Sequence, residues 1–367
     1  MITLLTLALV AASPAEERFL ATEVIEVVRV PGPLAPAMDD AVLARAPATR
    51  LLLAPQRTVR LPDRDANEAL DVLGAPRALD VRALADGKDL ALVLSWRDET
   101  DDRGRALETD RFGDAVAVQI PFAFGAGMRL PYVGMGDEAA PVALYLQRAV
   151  EHGTMARSLV AAGFGSSTRS STGGVRASMH YDGALRTWRA VLVMPLVTTE
   201  RDLRAGLVPV AFALWDGARR ERGGNKALSS WKVLRMPGSP VDARYLAELA
   251  WGHDGVGDVL RGKQLVDTVC AACHRLGDKR NAPVGLAPPL DDLGLVATPA
   301  YLRDSILAPS SIVVPGKGWS VRAPDGTRTS VMPAFAALPN GDLDAIVAYL
   351  RTLGVPAASS KAERSSP

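Results

Sequence analysis

The chain of 367 residues contains two cysteines, four histidines and seven lysines against thirty-five arginines. With both thiols in one short stretch, no disulfide framework is available, and a bridge between Cys270 and Cys273 closes a strained, tiny loop. A structural zinc site needs four ligands, and the histidines show no paired spacing to complete one. The net charge is +1 and no basic tract exists, which leaves a nucleic-acid role without support. There is no Walker phosphate loop, no GxSxG and no HExxH, so no set of acid, base and nucleophile points to a stand-alone catalyst. There is no internal repeat. Past the N-terminus, no stretch approaches eighteen apolar residues, so no membrane span is expected in the mature chain.

The N-terminus does carry an apolar run, Ile2 to Ala12. It is too short to cross a hydrocarbon core of about 30 Å as a helix. Small residues at Val10, Ala11, Ala12 and Ala15 offer cleavage sites, which predicts a signal peptide over 1–15 and an exported, periplasmic chain. No positive charge lies near Met1, and a short buried strand is the other reading.

Apolar residues make up 48% of the chain, enough for more than one core. Over residues 20–235, runs such as "RLLLAP", "LALVLSW", "AVAVQIPFAF", "WRAVLVMPLV" and "VPVAFALW" alternate with turn signals such as "ADGKD" and "YDGA". That texture predicts an antiparallel β-sandwich or barrel. From about Val241 the period becomes helical, in "DARYLAELAW", "VGDVLRGKQLVDTVC", "TPAYLRDSIL" and "GDLDAIVAYLRTL". Thr298 before Pro299 is a helix start. The expectation is a multidomain α+β chain: 1–15 leader, 16–240 sandwich, 241–355 small all-α domain and 356–367 solvated tail. "LRMPGSPVD" (234–242) reads as the link.

"CAACH" (270–274) is the attachment pattern for haem c. Two thiols on one helical turn add to the two haem vinyl groups, and the next residue presents an imidazole to the iron. A thioredoxin-like pair instead needs a preceding strand, whereas a helical segment precedes Cys270. Over roughly 250–355 the chain resembles a class I cytochrome c. "RGKQLVDTVCAACHRL" looks like its N-terminal helix and haem site. "GLAPPLDDLG" looks like the loop beside the proximal histidine, and "SVMPAF" with "LPNGDLDAIVAYLRTL" like the distal loop and C-terminal helix. The resemblance implies one covalent haem c on Cys270 and Cys273, with iron held by His274 and Met332. Met332 is the one methionine after Met236. A buried core methionine is the bland alternative for it.

Residues 25–235 resemble the haem b-binding gamma subunits of the ethylbenzene dehydrogenase and dimethyl sulfide dehydrogenase family. The pieces are "LALVLSWRDETDD", "DRFGDAVAVQIPF", "PYVGMGDEAAPVALYLQR" and "VPVAFALWDGARRERGGNKALSSWKVL". The family holds one non-covalent haem b between a methionine and a lysine, which here implies Met135 and Lys226. A lysine ligates only as the neutral amine, so burial beside iron has to depress its value from near 10.4. Lys88 sits in a turn, and Lys226 is the lysine within the family pattern, although Lys232 follows. Met128 competes with Met135, and His180 or His152 with Lys226. The stretch after "GMGD" is poorer in tryptophan than the family usually shows. Trp96, Trp215 and Trp231 are expected in the core or against the porphyrin.

These resemblances imply an exported dihaem electron-transfer subunit and not a catalyst. Its partners are then iron–sulfur and molybdenum subunits on one side and a soluble cytochrome or respiratory acceptor on the other. A mono-haem cytochrome with a haem-free sandwich for docking or ligand binding is the alternative. A haem enzyme of the peroxidase or nitrite reductase type needs an open iron position.

Overall fold

The computed structural model describes residues 24–57, 75–105, 110–170, 174–204, 206–240, 242, 245, 257–277, 286–313 and 319–355. The expected leader, the tail and most of "DARYLAELAW" lie outside the described residues.

The first thirteen strands are β1 (Val24–Arg29), β2 (Thr49–Pro55), β3 (Arg77–Ala85), β4 (Asp89–Arg97), β5 (Ala115–Pro121), β6 (Val142–Val150) and β7 (Gly153–Ala161), then β8 (Thr168–Arg169), β9 (Arg176–Asp182), β10 (Thr187–Pro195), β11 (Leu207–Trp215), β12 (Ala227–Leu228) and β13 (Lys232–Arg235). They form one hydrogen-bonded path folded into two layers. β8-β7-β6-β5-β11 make one layer, and β2-β3-β4-β10-β9 the other. Strand β12 bridges β11 to β2, and β1 pairs in parallel with both β3 and β13. The remaining pairings between strands are antiparallel. Strand β13 runs to Arg235, so the link between the two regions begins after it and not at Leu234.

The period of two decides which residues meet between the layers. Leu90, Leu92, Leu94 and Trp96 of β4 face Val116, Val118 and Ile120 of β5 and Phe212 and Leu214 of β11, all within one buried cluster. Trp96 stacks on Trp188 of β10, with ring centroids 6.3 Å apart. Both outer faces are covered as well. Over β4 and β10, the segment holding Leu34 and the short helix α1 (Asp40–Leu43) covers Val93 and Val191. The opposite outer face, on β5, β6 and β11, carries the site.

The C-terminal region contains α2 (Val259–Thr268), α3 (Leu293–Val296), α4 (Pro299–Leu307) and α5 (Asn340–Leu350), with a short hairpin of β14 (Ser320–Arg322) and β15 (Arg328–Ser330). Asp258 caps α2 by accepting from Leu260 N and Arg261 N, both at 3.0 Å. Thr298 caps α4 as expected, accepting from Tyr301 N at 3.2 Å. Where α2 crosses α5 the backbones nearly touch: a Cβ on Gly262 would stand 1.9 Å from Ala345 O. Only glycine admits that crossing. No described helix is long and apolar enough to cross a membrane.

Candidate functional site

Helix α2 ends in a tight turn over Cys270–Ala272. The Cys270 carbonyl accepts from Cys273 N at 3.1 Å and His274 N at 2.9 Å, so both thiols and the imidazole hang from one turn. Both cysteines are free thiols, and burial pushes the Cys270 thiol up to about 11. A thiol held protonated in apolar surroundings is a poor redox nucleophile, which argues against an exchange pair. His274 Nδ1 donates to the Pro288 carbonyl at 2.7 Å, in the tautomer that leaves Nε2 with its lone pair. Burial also lowers the His274 value, favouring the neutral ring. Cys270, Cys273, His274 and Met332 line one cavity of about 330 Å³, together with apolar side chains such as Leu302 and Ile306. Met332 N donates to Ser330 Oγ at 3.2 Å, which holds the loop that carries Met332.

The same cavity has a wall from the sandwich, made by Gln56, Arg57, Tyr132, Val133 and Leu228. Three contacts fix that wall. Tyr132 packs on Tyr301 of α4, with centroids 5.7 Å apart. Arg57 Nε pairs with Asp292 at 2.7 Å, both side chains mostly buried. Ser230 N donates to the Leu295 carbonyl at 2.8 Å. Burial raises the Tyr301 hydroxyl well above its usual value, with Tyr132 adding to the effect.

Behind that wall lies the outer face of β5, β6 and β11. Its floor is flat because small residues line it: Ala115 and Ala117 of β5, Ala211 and Ala213 of β11. Trp215 and Trp231 stand on this face, whereas Trp96 is in the inter-layer core. Lys226, immediately before β12, is only 4% exposed, and its Nζ lies 5.1 Å from the Trp215 ring centroid. Among the described residues no carboxylate pairs with it. Burial alone lowers its value to about 8. Met135 lies over the same face, packed against the group that contains Val142, Leu144, Ala211 and Trp231. Its φ of 82° is a left-handed conformation uncommon outside glycine, and its carbonyl accepts from Gly163 N at 2.9 Å. Lys226 and Met135 therefore sit on one face but in two groups of side chains, and Val133 packs against both groups.

The rival ligands stand elsewhere. Met128 is 53% exposed. His180 on β9, in the other layer, and His152, in the β6–β7 turn, are both exposed, as is Lys88. Lys232 is buried in β13 and has partners of its own. One residue of this face escaped the reading of the sequence: Arg148. The alternation in "VALYLQRAV" was the signal, because it places an arginine in line with Val142, Leu144 and Leu146.

Asp98, Asp114 and Asp216 gather at the ends of β4, β5 and β11, with oxygens within 4.8 Å of one another. Asp114 accepts from Trp188 Nε1 at 2.9 Å, Gly217 N at 2.8 Å and Asp102 N at 2.9 Å. Arg219 pairs with Asp216 at 3.0 Å. The group thus pins three strand ends together. Burial raises Asp114 to about 7, and burial with the Asp216 charge raises Asp98 to about 6.

A largely apolar cavity with a CxxCH turn, joined to a β-sandwich, defines the class as a cytochrome with an added sandwich domain. Residues 259–354 match the cytochrome c family, which implies a covalent haem c. The chain is 31% identical to the chlorate reductase subunit gamma of Ideonella dechloratans over 227 residues, 59% of this chain and 86% of the relative. It is 29% identical to the dimethylsulfide dehydrogenase subunit gamma of Rhodovulum sulfidophilum over 218 residues, 54% of this chain and 74% of that one. The chain belongs to this family of gamma subunits, which are electron carriers rather than catalytic chains. Among solved structures, a family 9 carbohydrate-binding module of Caldicellulosiruptor kristjanssonii in complex with glucose aligns over 60% of this chain and 98% of its own. The identity is 9% and the TM-score 0.34, a likeness too low to carry an argument.

Proposed function

We propose that the chain is an exported dihaem electron-transfer subunit, with haem b on the sandwich and haem c in the C-terminal region. In this reading 16–240 and 241–355 are the two domains, and 1–15 is the leader that takes them to the periplasm. Electrons pass between a molybdenum and iron–sulfur oxidoreductase and a soluble cytochrome or respiratory acceptor. The observation that carries the sandwich half is Lys226, a buried amine on a flat apolar face with no counter-ion among the described residues. A buried ammonium is costly, and burial lowers the Lys226 value to about 8, so its proton leaves more readily than that of an exposed lysine. A neutral amine is also the form that binds iron. Met135, on the same face, completes the donor set.

The donor set of the C-terminal cavity fits haem c in the same way. Cys270 and Cys273 supply the thioether sulfurs, and His274 the imidazole nitrogen that its Pro288 hydrogen bond leaves bare. Met332 supplies a thioether, which favours reduced iron and raises the potential. The haems supply the one-electron redox chemistry. The chain orients them, excludes water with Leu302, Ile306 and Val133, and keeps both on one scaffold at high effective concentration.

The test is ligand replacement. Lys226→Met should turn the haem b spectrum away from its wild-type low-spin form and leave the haem c bands unchanged. Replacing both His152 and His180 should leave both spectra unchanged. If His180→Ala alone abolishes the low-spin haem b signal and Lys226→Met does nothing, lysine ligation is wrong.

A further inference from the structure

The outer face that carries Lys226 also holds an arginine with no hydrogen-bond partner among the described residues. Arg148 of β6 is half-buried, and its Nε is sealed from solvent without a hydrogen-bond partner. Among the described residues it makes no ion pair. Burial lowers the Arg148 value, and the like charge of Arg157 on β7 adds to the effect. Arg157 is exposed and likewise has no carboxylate partner among the described residues. Two guanidinium groups side by side over an apolar floor are unfavourable unless an anion joins them.

The register says where that anion belongs. Arg148 pairs with Ala115, and Ala115 with Trp215. Leu214 pairs with Ala227, so Lys226 follows on in line with Trp215. Arg148, Ala115, Trp215 and Lys226 thus form one row across four strands. The backbones at its two ends are three strand spacings, about 14 Å, apart. The amine at one end is shut in beside an indole ring. The guanidinium at the other end opens at Arg157 toward solvent. The row therefore fits a flat apolar ligand with a metal-binding centre and a carboxylate edge.

We infer that Arg148, assisted by Arg157, is the carboxylate clamp of the sandwich and takes the propionate groups of haem b. This rests on the haem b reading of the face. Guanidinium is suited to the task because its fork matches a carboxylate in two parallel hydrogen bonds. The clamp fixes which edge of the porphyrin faces water, and so the rotation of the ring between its axial ligands.

The test uses the full-length protein stripped of non-covalent haem, with haem c retained as an internal standard. Titration with haemin and with haemin dimethyl ester, which lacks both carboxylates, separates the clamp from the pocket. Wild type should bind haemin more tightly than the ester by on the order of tenfold, the loss of about one charge-assisted hydrogen bond. Arg148→Gln should lose most of that preference while binding the ester as wild type does, which also shows that the variant is folded. Arg157→Gln should lose less. Arg148→Lys should recover part, since charge persists but the fork does not. Equal binding of both ligands by wild type, or an undiminished preference in Arg148→Gln, overturns the clamp while the haem b site stands. Binding of neither ligand overturns the haem b reading and the clamp with it.

Discussion

Tyr132 of the sandwich and Tyr301 of α4 pack ring against ring, tilted by 36°, in the wall of the cavity that holds His274. The wall belongs to both regions of the chain, so anything bound beside His274 is one layer of side chains from the sandwich face. Such aromatic pairs contribute about 1 kcal/mol beyond their buried area. A double-mutant cycle with Tyr132→Ala and Tyr301→Ala, followed by urea unfolding, should return a coupling of about that size. Strictly additive losses would mean that the two regions do not dock through this pair.

The buried aspartates set a pH dependence. Asp98 is raised to about 6 and Asp114 to about 7, whereas in the unfolded chain both ionise near 3.9. The folded state therefore holds protons that the unfolded state has released, and stability falls as pH rises from about 4 to 7. Above that range the loss is complete and constant. Asp98→Asn keeps an oxygen to accept from Thr100 N and carries no charge, so it should stabilise the protein at pH 8 by roughly 1 to 2 kcal/mol. It should also flatten the slope between pH 5 and 7. Thermal unfolding of both proteins at pH 5 and pH 8 measures it, and a variant less stable than wild type at pH 8 would refute this account of Asp98.

Much of the sandwich was legible because its strands bury one face and repeat with a period of two. "LALVLSW" and "VPVAFALW" became β4 and β11. Strands β7 and β9 were not seen, because "GTMARSLVA" and "RASMHYD" are largely half-exposed and lack a continuous apolar side. The parallel pairing of β1 leaves no local trace at all. At the site, "CAACH" and Thr298–Pro299 are local signals and were readable. The shared wall was not, since Val133 and Leu228 meet the His274 cavity only through tertiary folding. Lys226 was found by resemblance, but its burial beside Trp215 is a property of the β11–β12 register.

Gly262 tests the helix crossing. Gly262→Ala places a methyl group against the Ala345 carbonyl, where the backbone of α5 has to move. The expected cost is about 3 kcal/mol, at the upper end for overpacking. The yield of covalently haem-loaded protein should fall with it. Unchanged stability and yield would mean that α2 and α5 separate more easily than their contact implies.

Met332→His should lower the potential of the covalent haem and remove its share of the near-infrared methionine–iron band, because imidazole favours oxidised iron more than thioether does. Redox titration with separate monitoring of the two haems checks it. The non-covalent haem should keep its midpoint. An unaltered haem c potential would assign the distal position to another group.

The central claim is two haems on one chain, and haem stoichiometry tests it most directly. A pyridine haemochrome measurement of the purified native protein, before and after acid-acetone extraction, should find one extractable haem b for each haem c retained on Cys270 and Cys273. Retained haem c with no extractable haem in the native protein would contradict the dihaem account and leave a mono-haem cytochrome carrying a haem-free sandwich.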